Sequence, residues 1–558
     1  MVRFTDKGAR LSPPGHEGGC VEEPSGGAET ASVSGPRTSL ISSVIDLPVR
    51  PRSVVARPDP EELRTLTERM PNCLTTKYGN VNVQTRVVAR SKASTFIVTD
   101  DPSLHRGQPT MTKEQGERMA SIQDEYIHTH DMVVVDGYIG NDPVLRTPAR
   151  LIIETGNANI AAMQQILYYP LDRAGESGFE PLVTVIYTPG LEARGFPNDR
   201  LIAVDLERGI TRVFNSDYFG ESKKGGLRMW NKLVYDRGGL AMHAGCKIIP
   251  VGGQNRVALI IGLSGTGKTT TTFSKQNDSR PVQDDFLAIM PDGSIHATEN
   301  GCFAKTFGLA EETEPAIYRA VLKPTSYLEN VSQKNGMLDF FDTSYTQNGR
   351  AVFKMSDIEG AGDARAIKKA DILLILNRNE DIIPAVARLS GTQAAAYFML
   401  GETKGTSAGG AEEAGRFLRI PGTNPFFPLD HSLQGNRILE ILKTNPMEVY
   451  LMNTGRIGGG ENDPRSLKVK IRHSSAIIQG IAEGTIRWER DPDFGYEVAF
   501  RVAGIEGDDE RLLRPRELYA QQGRLDEYRT IVERLRAERR EYMKSFPGLA
   551  RDIAESVS

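Results

Sequence analysis

The chain has 558 residues, 39% of them hydrophobic and 25% charged, with a formal net charge of -4. That length exceeds what one compact core accommodates and predicts two or more domains with tails. A charge this close to balance offers no pull towards nucleic acid or an anionic membrane, so neither is expected as a partner. Cys20, Cys73, Cys246 and Cys302 lie far apart with no C-x-x-C spacing, which argues against a disulfide framework or structural zinc and fits a reducing cytosol. No apolar run approaches the ~18 residues that span a bilayer, and no hydrophobic leader opens the chain; a cytoplasmic location is expected.

Residues 1 to about 60 are rich in Gly, Pro, Ser and Arg, with Phe4 as the only aromatic. So little apolar surface predicts a disordered tail over 1–58. Asp59-Pro-Glu-Glu-Leu reads as a helix start with acids in its first turn. From there to residue 245, Thr95-Phe-Ile-Val-Thr, Met132-Val-Val-Val-Asp, Leu182-Val-Thr-Val-Ile-Tyr and Leu201-Ile-Ala-Val-Asp read as strands, and Ala158–Leu167 as a helix. A second unit over 246–545 adds strands at Phe286-Leu-Ala-Ile-Met and Asp371-Ile-Leu-Leu-Ile-Leu. Residues 518–543 combine helical periodicity with dense mixed charge, the pattern of a solvated surface helix, and 546–558 form a C-terminal tail. No solenoid or propeller period is present. The expected fold class is α/β, divided at 245/246.

The most informative stretch runs from Val257 to Thr270. A buried-strand pattern, Val257-Ala-Leu-Ile-Ile, leads directly into Gly262-Leu263-Ser264-Gly265-Thr266-Gly267-Lys268-Thr269-Thr270. The glycines let backbone N–H groups wrap phosphate oxygens, Lys268 can bridge the outer phosphates, and the Thr269 hydroxyl can ligate the Mg²⁺ that accompanies them. A helix opening at this point favours anions. The stretch predicts a nucleoside triphosphate site without naming the reaction.

Other segments carry chemistry only in company. Asp284 and Asp285 precede an apolar run and can hold metal or its waters, or make a turn. Lys223 and Lys224, beside a Gly-bounded turn, read as an anion or metal site or as a solvated basic pair. His243, in Leu240-Ala-Met-His-Ala-Gly-Cys, reads as a satisfied core histidine until a partner is found. His128 and His130 have no acidic or cysteine partner at obvious spacing and read as non-catalytic. Arg90 and Arg350 can clamp carboxylate or phosphate bidentately, or pair on the surface.

Taken in order, Tyr218-Phe-Gly-Glu-Ser-Lys-Lys-Gly225, Met242-His243, the Gly262–Thr270 loop, the Asp-Asp pair, Gly301-Cys-Phe-Ala-Lys-Thr306, Glu314-Pro-Ala-Ile-Tyr, Leu328-Glu-Asn-Val and Asn348-Gly-Arg350 resemble the ATP-dependent phosphoenolpyruvate carboxykinase family. Weaker likeness extends over residues 85 to 540. The loop is similar to the ATP class, not to the Ala-Cys-Gly-Lys loop of the GTP class. The resemblance implies a two-domain fold with the active site in the cleft between a substrate domain and a nucleotide domain. It implies conversion of oxaloacetate and ATP to phosphoenolpyruvate, CO₂ and ADP in the gluconeogenic direction, with ATP, Mn²⁺ and Mg²⁺ as cofactors. By position, Lys224, His243 and Asp285 match Mn²⁺ ligands; Lys268 and Thr269 match triphosphate and Mg²⁺ positions, with Asp284 on the waters of that Mg²⁺. Arg90 and Tyr218 match substrate-binding positions, and Arg350 a residue touching both substrate and γ-phosphate. Lys305 and Glu314 match nucleotide-site positions; Lys468, Val469 and Ser474 fall where the family binds adenosine. The resemblance also implies a lid at 401–410. A monomer is expected.

Three segments depart from the family. Val88-Ala-Arg-Ser-Lys-Ala-Ser-Thr95 stands where the family reads Thr-Gly-Arg-Ser-Pro-Lys-Asp-Lys. The lid reads Gly405-Thr-Ser-Ala-Gly-Gly, then Gly422-Thr-Asn-Pro-Phe-Phe427, and Lys468 replaces an arginine. The alternatives are a kinase of this fold acting on another small acceptor, or a non-catalytic nucleotide-binding regulator.

Overall fold

The computed structural model describes residues 46–171, 178–263, 265–405 and 415–557. The expected tail over 1–45, Ser264 of the phosphate loop and positions 406–410 of the expected lid lie outside them. Residues 46–558 form one compact unit. It is mixed α/β, organised on two eight-stranded sheets and a five-stranded one.

The first large sheet orders its strands Ser53–Ala56, Asp131–Ile139, Thr147–Glu154, Val183–Thr188, Ile210–Phe214, Leu201–Asp205, Thr95–Val98 and Thr110–Met111. Its strands read as near-continuous Val/Ile runs because helices such as Ala158–Leu167 cover them, and Val133, Val135, Leu151, Val185 and Val204 are buried in one cluster with Trp230. The second orders Arg280–Gln283, Ala244–Val251, Gln254–Ile261, Ile372–Asn377, Glu448–Asn453, Val386–Leu389, Glu497–Arg501 and Arg487–Arg490. Its centre is parallel, with Ala258 opposite Ile372 and Ile372 opposite Glu448.

Several boundaries differ from expectation. Ser53–Ala56, inside the expected tail, pairs in parallel with 131–134, and Val49 is buried beside it. The helix at Asp59 forms as expected, over Pro60–Glu68, with the Asp59 carboxylate accepting from the N–H groups of Glu61 and Glu62. The five-stranded sheet joins Cys73–Thr75 and Val81–Val83 to Tyr327–Glu329, Arg350–Lys354 and Gly301–Lys305, so pairing crosses the expected division at 245/246. Val81–Val83 finds a local partner in Cys73–Thr75, but three residues carry no information on the distant strand, Tyr327–Glu329, that pairs with its other edge.

The helix expected over 518–543 is two, Pro515–Gln521 and Leu525–Lys544, broken at Gly523 with φ 68°. It is not simply a solvated surface helix. Arg539 is fully buried and forks onto Glu402, Nε–Oε1 3.0 Å and Nη2–Oε2 2.7 Å. The expected C-terminal tail also packs: Ile553 and Val557 join the core of the second large sheet. Among the described residues no helix is long and apolar enough to cross a membrane. Cys73, Cys246 and Cys302 form no disulfide.

Candidate active site

The antiparallel register of two strands builds the centre of the site. Cys246 of Ala244–Val251 stands opposite Gln283 of Arg280–Gln283. The same register carries His243 and the pair Asp284-Asp285 to one end of the sheet. The adjacent strand, Gln254–Ile261, ends there too and releases the Gly262–Thr270 loop. Gly265 and Gly267 adopt φ 88° and 85°, the left-handed region open to glycine, before the helix Lys268–Phe273 begins. The loop is braced from outside: Thr454 Oγ1 donates to the Thr266 carbonyl at 2.7 Å and Arg378 Nη1 to the Gly265 carbonyl at 2.8 Å.

The helix Phe219–Asp236 delivers the lysines, with Tyr218 at its N-cap position. Spacings of three and seven put Glu221, Lys224 and Arg228 on one face, and all three are buried. Lys223 and Lys224 both reach Asp285 Oδ2, at 2.9 and 2.5 Å. On Oδ1, His243 Nε2 lies at 2.8 Å and Lys268 Nζ at 2.6 Å. Lys223 also bonds Glu299. Burial opposes ionisation of Asp285, but Lys223, Lys224 and Lys268 overrule it and hold the carboxyl well below its usual range.

This donor set suits a divalent cation. The Thr423 carbonyl lies 2.8 Å from His243 Nδ1, so Nδ1 must carry the hydrogen. Burial, then Lys268, push the imidazole down to about 4 and keep it neutral. Nε2 therefore turns a lone pair towards a carboxylate oxygen 2.8 Å away, an arrangement of two acceptors that a shared cation relieves. Burial and neighbouring Lys223 bring Lys224 down to about 7 against the pull of Asp285, within reach of the neutral amine that alone can ligate. Among the described residues no three His, Cys, Asp or Glu side chains converge; a metal here needs Lys224 as its third donor. Asp284 Oδ1, next to the loop, is buried without a hydrogen-bond partner and offers an acceptor to metal-bound water.

These groups floor a cavity of about 310 Å³. Arg90, Tyr218, Lys305, Glu314 and Arg350 line its walls with Lys268, Thr269 and Thr270. Lys305 and Arg350 are paired across neighbouring strands, and burial together with Arg350 lowers Lys305 to about 8. Arg350 Nε is buried with no hydrogen-bond partner, while its Nη2 holds Asn348 Oδ1 at 2.8 Å. Thr270 Oγ1 donates to Glu314 Oε1 at 2.7 Å. The Arg90 guanidinium lies 5.2 Å from the Phe426 ring centre, and the next N–H, that of Ser91, donates to buried Glu221 at 2.6 Å.

Not every expected residue meets this cavity. Leu263, Gly265 and Gly267 face it, whereas Gly262 and Thr266 lie behind the loop. Lys468, Val469 and Ser474 do not line it; Val469 is tied to the loop's brace through its N–H to the Gly455 carbonyl, 3.0 Å. His128 and His130 bond backbone carbonyls of Arg50 and Tyr126. Sequence reasoning missed Phe303 and Phe426. Phe426 packs within 4.4 Å of Lys224 Nζ and 5.5 Å of the Arg228 guanidinium, and Phe303 within 5.0 Å of that of Arg350. A lone phenylalanine signals no chemistry; the available hints were the place of Phe303 in Gly301-Cys-Phe-Ala-Lys-Thr306 and of Phe426 in the departing segment 422–427.

Comparison with known proteins follows the same line. The family model for phosphoenolpyruvate carboxykinase matches residues 52–508. A protein of Chelativorans sp. (strain BNC1) is 29% identical over 78% of this chain and 82% of its own length. One from Aeropyrum pernix is 32% identical over 72% of this chain and 78% of its own. One from Mesorhizobium japonicum is 31% identical over 80% and 84%. Each of the three is named phosphoenolpyruvate carboxykinase (ATP). With a match over most of its length and the loop, lysine pair, histidine and aspartates gathered in one cavity, the chain belongs to the ATP-dependent phosphoenolpyruvate carboxykinase family.

Proposed function

We propose that this cavity converts oxaloacetate and ATP to phosphoenolpyruvate, CO₂ and ADP. The observation that carries the reading is the convergence of Lys224, His243 and Lys268 on Asp285, with Arg90 and Arg350 in the walls of the same cavity. Arg90 and Arg350 clamp the acceptor's carboxylates, and Tyr218 packs beside them. Breaking the bond to the departing carboxyl leaves its electron pair on the acceptor as an enolate, and Lys224 and Arg350 face that charge. The enolate oxygen then attacks the γ-phosphorus in line while ADP leaves. Lys268, Arg350 and the loop N–H groups hold the transferring group, so the second step is chiefly positioning and charge neutralisation.

Lys224, His243 and Asp285 would hold Mn²⁺, and Thr269 with Asp284, through water, Mg²⁺; the ions would supply Lewis acidity at the enolate and neutralisation at the triphosphate. Phe303 and Phe426 limit water at the enolate, where protonation would give pyruvate instead. Lys305 and Glu314 border the triphosphate, and Lys468, Val469 and Ser474 the adenosine. Phosphoenolpyruvate formation from oxaloacetate, ATP, Mg²⁺ and Mn²⁺ tests the reading. Wild type should form product and Lys224→Ala should lose at least ~100-fold in kcat. A wild-type protein that binds ATP but forms no phosphoenolpyruvate would overturn it.

A further inference from the structure

Lys247 belongs to no motif, yet it is fully buried, and among the described residues no carboxylate answers it. It lies on Ala244–Val251, beneath the helix that follows the phosphate loop. Alternate residues of this extended stretch meet Asp285, then the helix, then the turn that follows it. His243 faces Asp285. Gly245 leaves the room that Thr272 fills, since a Cβ there would collide with its hydroxyl. Lys247 comes last, at the helix's C-terminal end, and its Nζ donates to the carbonyls of Thr271 at 2.7 Å and Ser274 at 3.1 Å and to Gln276 Oε1. An ammonium has three N–H groups, and here each has an acceptor. Gln276 continues the line: its Nε2 donates to Ser475 Oγ at 2.9 Å. Ser475 sits in the helix Ile471–Glu483, next to Ser474.

We propose that Lys247 is a positioning residue for the nucleotide: through Gln276 and Ser475 its buried ammonium locks the helix behind the triphosphate to the helix at the adenosine end. The inference rests on the ATP site proposed above. A buried charge without a counter-charge is costly to keep, and a methionine would fill the same space. What methionine cannot do is bind the Thr271 and Ser274 carbonyls and Gln276 Oε1, the side chain that carries the contact on to Ser475. Among the described residues no charged group acts on Lys247; burial alone lowers it, to about 7. Above that pH the neutral amine has two N–H groups for three acceptors, and the lock loosens.

Titration calorimetry of MgATP without oxaloacetate tests this on the full chain. Near pH 6, Lys247→Met should bind MgATP roughly tenfold more weakly than wild type, the loss of a hydrogen-bonded charge. Near pH 8.5 the ratio should be several times smaller, because wild type has itself lost the proton and one of the three N–H donors. Its kcat at saturating ATP should stay near wild type. Ser475→Ala, which cuts the line but leaves the ammonium, should weaken binding severalfold near pH 6 and less near pH 8.5, where the lock is already loosened. A merely structural lysine would lower the melting temperature and leave the affinity ratio at one. Equal affinities for folded Lys247→Met and wild type near pH 6, or a ratio independent of pH, overturn the inference. If Lys247→Met does not fold, unchanged affinity in Ser475→Ala overturns it. Wild type that binds MgATP but makes no phosphoenolpyruvate defeats the proposed reaction instead, and leaves this test standing.

Discussion

Asp285 is the counter-charge on which the centre depends, and Asp285→Asn measures that. The amide keeps the shape and removes the charge facing Lys223, Lys224, Lys268 and His243. Lys223 retains Glu299, whereas Lys268 keeps only the backbone carbonyls of residues 284 and 285, each 3.3 Å away. Breaking a buried ion pair by removing one partner costs about 3–5 kcal/mol. The losses do not add, because the lysines share one partner. Lys224, at about 7, can also shed its proton and limit its own penalty. We therefore expect a net loss of about 3–5 kcal/mol at neutral pH, a fall in Tm of roughly 3–5 °C for a unit of this length. The sign with pH follows from the depressed folded value: the contribution of Asp285 is present above its ordinary range and is lost only as pH falls through that lower value. In phosphoenolpyruvate formation, kcat should fall by at least ~100-fold. Affinity for ATP should hold or improve, since Lys268 is no longer committed to a carboxylate. Calorimetric melting and steady-state kinetics on the same preparation read both. A variant with unchanged Tm, or with kcat within tenfold of wild type, would refute the account.

Two further outcomes are expected. Arg539→Met leaves Glu402 buried with only Arg419 against it, so stability should fall by about 3–5 kcal/mol with little change in KM for oxaloacetate; a chemical denaturation midpoint close to wild type would contradict this. Burial pushes Glu329 up to about 8, and one of its oxygens has no hydrogen-bond partner while the other accepts from the Phe219 N–H at 2.8 Å. With a raised folded value, its contribution is full below the ordinary glutamate range and is lost as pH rises towards 8. Glu329→Gln should thus match wild type in melting near pH 5 and exceed it near pH 8, by an amount on the order of 3 kcal/mol; parallel pH–stability curves would exclude it.

Legibility in the residues followed locality. The helix Ala158–Leu167 and the strand Leu201–Asp205 were readable because periodicity and β-branching act within the segment. The phosphate loop was readable because its glycines and Lys268 are drawn from nearly consecutive positions, as a single anion would require. His243 was readable only through the family resemblance, because a histidine among apolar residues means nothing by itself until the Cys246–Gln283 register sets it beside Asp285. Phe426 and Lys247 were invisible for the same reason: their partners lie on other elements. The charge of Leu525–Lys544 misled, since mixed charge describes a solvated face and a buried Arg539–Glu402 fork equally well.

The sequence by itself determined the family, the phosphate loop and the identity of the groups that could do the chemistry, because those are properties of residue types at fixed short spacings. Tertiary structure alone decided which of them share a charge. One carboxylate, Asp285, stands among three lysine side chains and a neutral imidazole drawn from separate segments, and burial together with their mutual charges sets their protonation. Electrostatic energy depends on distance through space and on exclusion of water, and neither is written along the chain.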